Sequence, residues 1–125
     1  DISPQMARAL LGTGKIIGVS VDNLPQAQKA VAQGADYLGL GPAHPTTSKD
    51  CHLDAGGAAL IAEVAPHVDV PVLAIGGVTP ENTMPLLKAG ASGIAVISSI
   101  LANPKPDQEV RRFMDIFKLF GKEGI

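Results

Sequence analysis

A chain of 125 residues holds one domain at most. Apolar residues make up 46% and aromatics only 3%, so the core must be layered from Ala, Val, Ile and Leu, which favours an α/β protein over a sandwich. A net charge of -2 without a run of Lys or Arg argues against a nucleic-acid surface, and the longest apolar stretch, near residues 93–102, is too short to span a bilayer. The single cysteine, Cys51, leaves no internal disulfide framework and suits a reducing cytoplasm.

In chain order, Ser3-Pro4 predicts an N-cap followed by proline at the first helical position. Met6, Ala7, Leu10 and Leu11 give that helix an apolar face, and Gly12 stops it. Residues 15–20 are predicted as a strand. Asp22 or Asn23 then caps a helix through Gln33, with Ala27, Ala30 and Val31 inward and Gly34 closing it. A second strand is expected at 36–40, a helix at 58–65 and a third strand at 70–75. Thr79-Pro80 opens a helix that ends near Ala89-Gly90, with Pro85 awkwardly inside it. The fourth strand is predicted at 93–97. An amphipathic helix at 107–120 closes the series with Val110, Phe113, Ile116, Phe117 and Phe120 on its apolar face.

Strands alternating with helices imply a parallel sheet with right-handed crossovers. An internal echo agrees: Ile17-Gly-Val-Ser followed by Gly34-Ala-Asp matches Ile75-Gly-Gly-Val followed by Gly90-Ala-Ser at nearly the same separation. Four such units are half of an eight-fold barrel, which typically needs about 200 residues or more. A half-barrel exposes two strand edges and an uncovered apolar face. The expectation is therefore the C-terminal half of a longer protein, or a half that associates with another chain. A self-contained flavodoxin-like sheet is the competing architecture.

Three strand ends carry the chemistry. Tyr37-Leu-Gly-Leu40 runs through Gly41-Pro42 into a loop holding Thr46, Thr47, Ser48 and Lys49, with no acid until Asp50. Such donors suit an anionic oxygen, phosphate or pyrophosphate above all. The bland alternative is a solvated turn-rich loop. Two further runs shift the balance: Val70-Pro-Val-Leu-Ala-Ile-Gly-Gly-Val78 and Gly93-Ile-Ala-Val-Ile-Ser-Ser99 end in Gly76-Gly77 and Ser98-Ser99. Neighbouring ends of this kind form a phosphate cup in β/α barrels. A Gly-Gly pair on its own more often marks only a tight turn.

Together these segments resemble thiamine phosphate synthase over almost the whole chain. The matching stretches are Ile16-Ile-Gly-Val-Ser20, Gly34-Ala-Asp-Tyr-Leu-Gly-Leu-Gly-Pro42, Pro45-Thr-Thr-Ser-Lys49, Ala74-Ile-Gly-Gly-Val78 and Gly93-Ile-Ala-Val-Ile-Ser98, with Asp1 ahead of them. The resemblance implies a (β/α)8 TIM barrel of which this chain supplies the last four units. It implies a transferase of thiamine biosynthesis that joins hydroxymethylpyrimidine diphosphate to thiazole phosphate with Mg²⁺, releasing pyrophosphate. Carried over by position, Asp1 matches a Mg²⁺ ligand, and Ser20 and Lys49 match contacts to the pyrimidine diphosphate. Thr46, Thr47 and Ser48 stand where the family's Thr-x-Thr segment holds the thiazole phosphate, Ser48 being a hydroxyl-preserving departure. Gly77, Ile97 and Ser98 match the backbone cup for the same phosphate. The family's Gln-x-Arg-x-Lys motif and its first Mg²⁺ aspartate have no counterpart among these residues, so catalysis by the isolated chain is not expected.

The related thiazole tautomerases resemble the chain less well. A catalytic histidine stands in that family where Pro42 stands here, and a Cys-Lys pair replaces Ser48-Lys49, although His44 lies two positions on. A non-catalytic phosphate-binding half-barrel is the third alternative. Cys51, His52 and His44 lack the second paired spacing of a metal site. Cys51 also has no evident partner base as a nucleophile. His67 is expected at the surface. Asp36 is expected to pair or cap, and Asp22 and Asn23 to cap a helix.

Overall fold

The computed structural model describes residues 2–42 and 54–123, and side chains over 2–42 and 57–121. Asp1, His44, Thr46, Thr47, Ser48, Lys49, Cys51 and His52 lie outside the described residues.

Helix α1 (Pro4–Leu11) starts as its sequence predicts: the Ser3 hydroxyl accepts from the Met6 N–H at 3.1 Å, and the Gly12 N–H closes on the Arg8 carbonyl. Strand β1 (Gly18–Val21) leads to α2 (Leu24–Ala32), where Asn23 rather than Asp22 is the cap, accepting from the Gln26 N–H at 2.9 Å. Next come β2 (Tyr37–Leu40) and α3 (Asp54–Val64), which runs on through a 3-10 turn (Ala65–His67). The remaining elements are β3 (Val72–Ile75), α4 (Pro80–Lys88), β4 (Gly93–Ala95), α5 (Ser98–Leu101) and α6 (Pro106–Glu123). Every strand is shorter than its apolar run, because flanking residues such as Ile16 and Ile97 leave the ladder while keeping β-type composition. Pro85 stands within α4 without ending it, its missing N–H falling on one rung of an otherwise continuous helix. Exposed His67 meets its expectation.

The strands form one parallel sheet in the order β1-β2-β3-β4. In register, Ser20 pairs with Gly39, Gly39 with Leu73 and Leu73 with Gly93. Because side chains alternate across a strand, two opposed faces follow. Val21, Leu38, Leu40, Val72 and Ala74 are buried, packed with Ala27, Ala30, Ile61, Val64 and Leu86 from the helices. Each fully buried Leu or Ile there contributes about 1.5–3 kcal/mol. The other face carries Gly18, Ser20, Tyr37, Gly39, Leu73, Ile75, Gly93 and Ala95, and Tyr37 and Ile75 are more than a third exposed. Tyr37 lies across Gly18, where any Cβ would collide with its ring. The described helices thus cover one face of the sheet and leave the other open.

The echo in the sequence is an echo in geometry. After α2 the Ala35 N–H reaches back to the Ala30 carbonyl at 3.0 Å, and after α4 the Ala91 N–H reaches Leu86 at 3.1 Å, with Gly34 and Gly90 at positive φ between. The next residue then joins the preceding strand end: the Asp36 N–H donates to Ile17 at 2.7 Å and the Ser92 N–H to Val72 at 2.8 Å.

Two expectations for apolar faces fail. Met6, Leu10 and Leu11 of α1 are exposed, since α1 sits beyond edge strand β1 with no element on its outer side among those described. Val110 is also exposed, because α6 turns Phe113 and Glu109 to the core and leaves Val110 off that face.

Asp36 pairs, as expected. Its carboxylate accepts from Arg8 Nη2 at 2.7 Å and from the Ile17 N–H at 2.8 Å, while Arg8 also reaches the Lys15, Gly12 and Gly34 carbonyls. One guanidinium thereby staples α1, the loop before β1 and the start of β2. The Arg8 hydrogen bond, helped by that from Ile17, holds the Asp36 carboxyl below the usual aspartate range. A lowered carboxyl stabilises the fold above the unfolded value, and the contribution fades as pH falls through the folded one. Asp36→Asn should therefore lower Tm by a few degrees at neutral pH. The gap to the parent should narrow as thermal melts are taken progressively further into acid.

Candidate functional site

Parallel pairing places the carboxyl ends of all four strands along one edge of the sheet, and the cavity between the last two is the candidate site. It encloses about 210 Å³ between residues 75–78 after β3 and residues 95–99 after β4. Gly77, Ile97 and Ser98 are thus brought together, as the sequence predicted. Gly76 and Gly77 have φ of 94° and 68°, a conformation that glycine reaches without strain. With no side chain on either, a ligand can approach the backbone of this turn closely. Ile97 and Ser98 are exposed on the opposite wall.

Sequence reasoning missed what braces this turn. The Asn82 side-chain amide donates to the Gly77 carbonyl at 3.0 Å, and its Oδ1 accepts from the Thr79 N–H at 2.9 Å. Asn82 therefore holds the turn by the Gly77 carbonyl oxygen. The signal was present: Thr79-x-x-Asn82 is the spacing of a capping box, with Asn in place of Glu or Gln. Thr83, fully buried, is satisfied by donating its hydroxyl to the Thr79 carbonyl at 2.6 Å. Helix α5 was also missed, its Ser-Ser-Ile-Leu being too short for a periodic signal.

On the far wall, Ser99 donates its hydroxyl to Glu109 Oε2 at 3.2 Å, and Arg112 Nη1 donates to Glu109 Oε1 at 2.9 Å. Arg112 also pairs with Glu81 of α4. The hydrogen bond to Glu109, with the charge of Glu81, holds the Arg112 proton more firmly than usual.

Ser20 lies elsewhere. It is exposed on the open face of β1, on the same layer as Gly39 and Leu73, and does not line the cavity. Three strand spacings separate β1 from β4, about 14 Å. A ligand touching both would extend along the strand ends, with its phosphate in the cavity and its other half toward β1. Gly41, at the end of β2 between them, sits so close to β3 that a Cβ would collide with the Ile75 carbonyl. This contact fixes where the chain leaves the sheet towards residues 46–49.

Among the described residues no helix is long and apolar enough to cross a membrane. No group of three or more His, Cys, Asp or Glu among them could hold a metal ion.

Fold and site define an α/β protein of TIM-barrel-like strand–helix units with a cavity at its strand ends. The family model for thiamine monophosphate synthase matches residues 1–100. The chain is 42% identical over 118 residues to a thiamine-phosphate synthase of Chlorobium phaeobacteroides, spanning 94% of this chain and 57% of that protein. It is 41% identical over 119 residues to that of Roseiflexus castenholzii, spanning 93% and 51%. A solved thiamine phosphate pyrophosphorylase from Pyrococcus furiosus superposes with a TM-score of 0.83 at 33% identity, over 94% of this chain and 55% of that one. The chain belongs to the thiamine monophosphate synthase family, and it spans about half the length of these relatives.

A side chain at Gly77 would strain the turn that lines the cavity. Gly77→Val should weaken binding of a phosphorylated ligand by about tenfold or more, about 1.4 kcal/mol, by isothermal titration.

Proposed function

We propose that this chain forms the thiazole-phosphate side of a thiamine phosphate synthase site. The reaction joins hydroxymethylpyrimidine diphosphate to thiazole phosphate and yields thiamine phosphate and pyrophosphate. The observation that carries the proposal is the meeting of Gly77, Ile97 and Ser98 around one cavity in a chain of this family. In this scheme the phosphate of the thiazole rests on the backbone of Gly77 and Ser98, with Thr46, Thr47 and Ser48 adding hydroxyls. Ser20 and Lys49 hold the pyrimidine diphosphate. The pyrimidine–oxygen bond breaks with its electrons on the departing pyrophosphate, and the thiazole nitrogen supplies the pair for the new carbon–nitrogen bond. Charge develops on pyrophosphate and on the pyrimidine cation, so the site needs donors for an anion more than an acid–base pair.

Mg²⁺ commonly takes one or two carboxylates, substrate phosphate oxygens and waters rather than an all-protein cage. Asp1 suits that role by type, and the bound ion would offset charge on the pyrophosphate. The alternative within the superfamily is a tautomerase using His44; Gly41-Pro42 favours the synthase.

Two experiments test the assignment. Calorimetric titration of the native gene product should give much tighter binding of thiazole phosphate than of the unphosphorylated thiazole alcohol; equal affinities would contradict the cup. In turnover, Lys49→Ala should cost about a hundredfold or more in kcat with little change in thiazole phosphate binding, while His44→Ala stays within about threefold. The reverse pattern would favour the tautomerase.

Completion of the barrel belongs to the same proposal. Among the described residues the sheet has one open face and two unpaired edges, and the relatives are about twice as long. An N-terminal half or a second copy would supply the remaining strand–helix units. Residues 1–125 alone should therefore associate or bind an apolar dye, and should make no thiamine phosphate with Mg²⁺. A monodisperse, active monomer in analytical ultracentrifugation and assay would contradict this.

A further inference from the structure

We infer that Glu109 is a positioning residue for the phosphate cup, acting through the Ser99 hydroxyl. The inference rests on the phosphate-cup reading above and adds to it a residue from the closing helix, outside the strand ends. Glu109 is the one buried charged side chain among the described residues, 6% exposed on α6, and the cavity itself gives it no reason to be there. An ionised carboxylate so placed is costly unless paired and hydrogen-bonded. Both needs are met: Arg112 supplies the charge at 2.9 Å and Ser99 a hydroxyl at 3.2 Å.

The consequence lies at Ser99, which lines the cavity. A serine hydroxyl has one proton, and that of Ser99 is committed to Glu109, so it is turned away from any bound anion. Adjacent Ser98 is exposed and keeps its own proton for a ligand. Two neighbouring serines thus divide their work, Ser99 anchoring the wall to α6 and Ser98 facing the ligand. The anchor holds Ser99, and with it the start of α5 that carries Ser98, against α6. Arg112 matters in a second way: it neutralises a carboxylate that would otherwise repel a phosphate nearby. Through its pair with Glu81 it ties this wall to α4, the helix that carries Asn82 and braces Gly77 on the other wall.

The test uses the native gene product, with thiazole phosphate and the thiazole alcohol as paired titrants and a thermal melt of every variant. Ser99→Ala and Glu109→Ala should each weaken thiazole phosphate binding about fivefold, with alcohol binding unchanged. Glu109→Gln keeps an acceptor for Ser99 while losing the charge pair. Its Tm should fall, yet its affinity for thiazole phosphate should stay within about twofold of the parent. Should Glu109→Ala fail to fold, Ser99→Ala and Glu109→Gln decide between them. Equal weakening of both titrants in Ser99→Ala would overturn the inference, as would an affinity loss in Glu109→Gln as large as that in Ser99→Ala. A parent without preference for the phosphorylated titrant would overturn the cup itself, and the positioning role with it.

Discussion

Parallel hydrogen bonding within the sheet is the constraint on which the rest of the molecule depends. Strands running the same way must be joined by crossovers, so the loops leaving their carboxyl ends all fall on the same edge. The candidate residues in β1 and after β3 and β4 are separated by tens of positions in sequence, yet the ladder sets their strands in a row about 4.8 Å apart. The same constraint sends the crossovers to one face, where Leu38, Leu40, Val72 and Ala74 meet the helices. The opposite face keeps glycines and the exposed Tyr37 and Ile75.

Both walls of the cavity are tied from behind. Asn82 holds Gly77 by its carbonyl, and Glu109 holds Ser99 by its hydroxyl. Neither bond uses the groups that face the cavity. At the opposite end of the sheet, Arg8 and Asp36 do comparable work on the bottom of β1 and β2, away from the site. In the proposed reading, stability at one end and binding at the other follow the usual division of labour in β/α folds.

Much of this was legible in the residues. Ser3-Pro4, Asn23 and Thr79-Pro80 opened helices where local capping chemistry alone predicts them, and Gly34 and Gly90 closed two of them. Gly76-Gly77 and Ser98-Ser99 stood out by residue type, Ile97 only through the family resemblance, and all of them line one cavity. Other features depend on tertiary context. The apolar stripe of α1 promised burial, but whether Leu10 is covered depends on what lies beside β1, and periodicity carries no such information. Strand ends were placed too generously because Ile97 is apolar whether it pairs or lines a cavity. Glu109 looks like an ordinary helix-surface acid until α6 is docked on α4 and α5, and only the packed structure turns it inward.

The most direct measurement is a crystal structure of the native gene product with thiazole phosphate bound. The phosphate should sit between the two walls, within hydrogen-bond distance of the Gly77 and Ser98 backbone N–H groups, with the thiazole ring pointing along the strand ends toward Ser20. A phosphate bound anywhere else, with the space between Gly77 and Ser98 filled only by water, would contradict the assignment of this cavity.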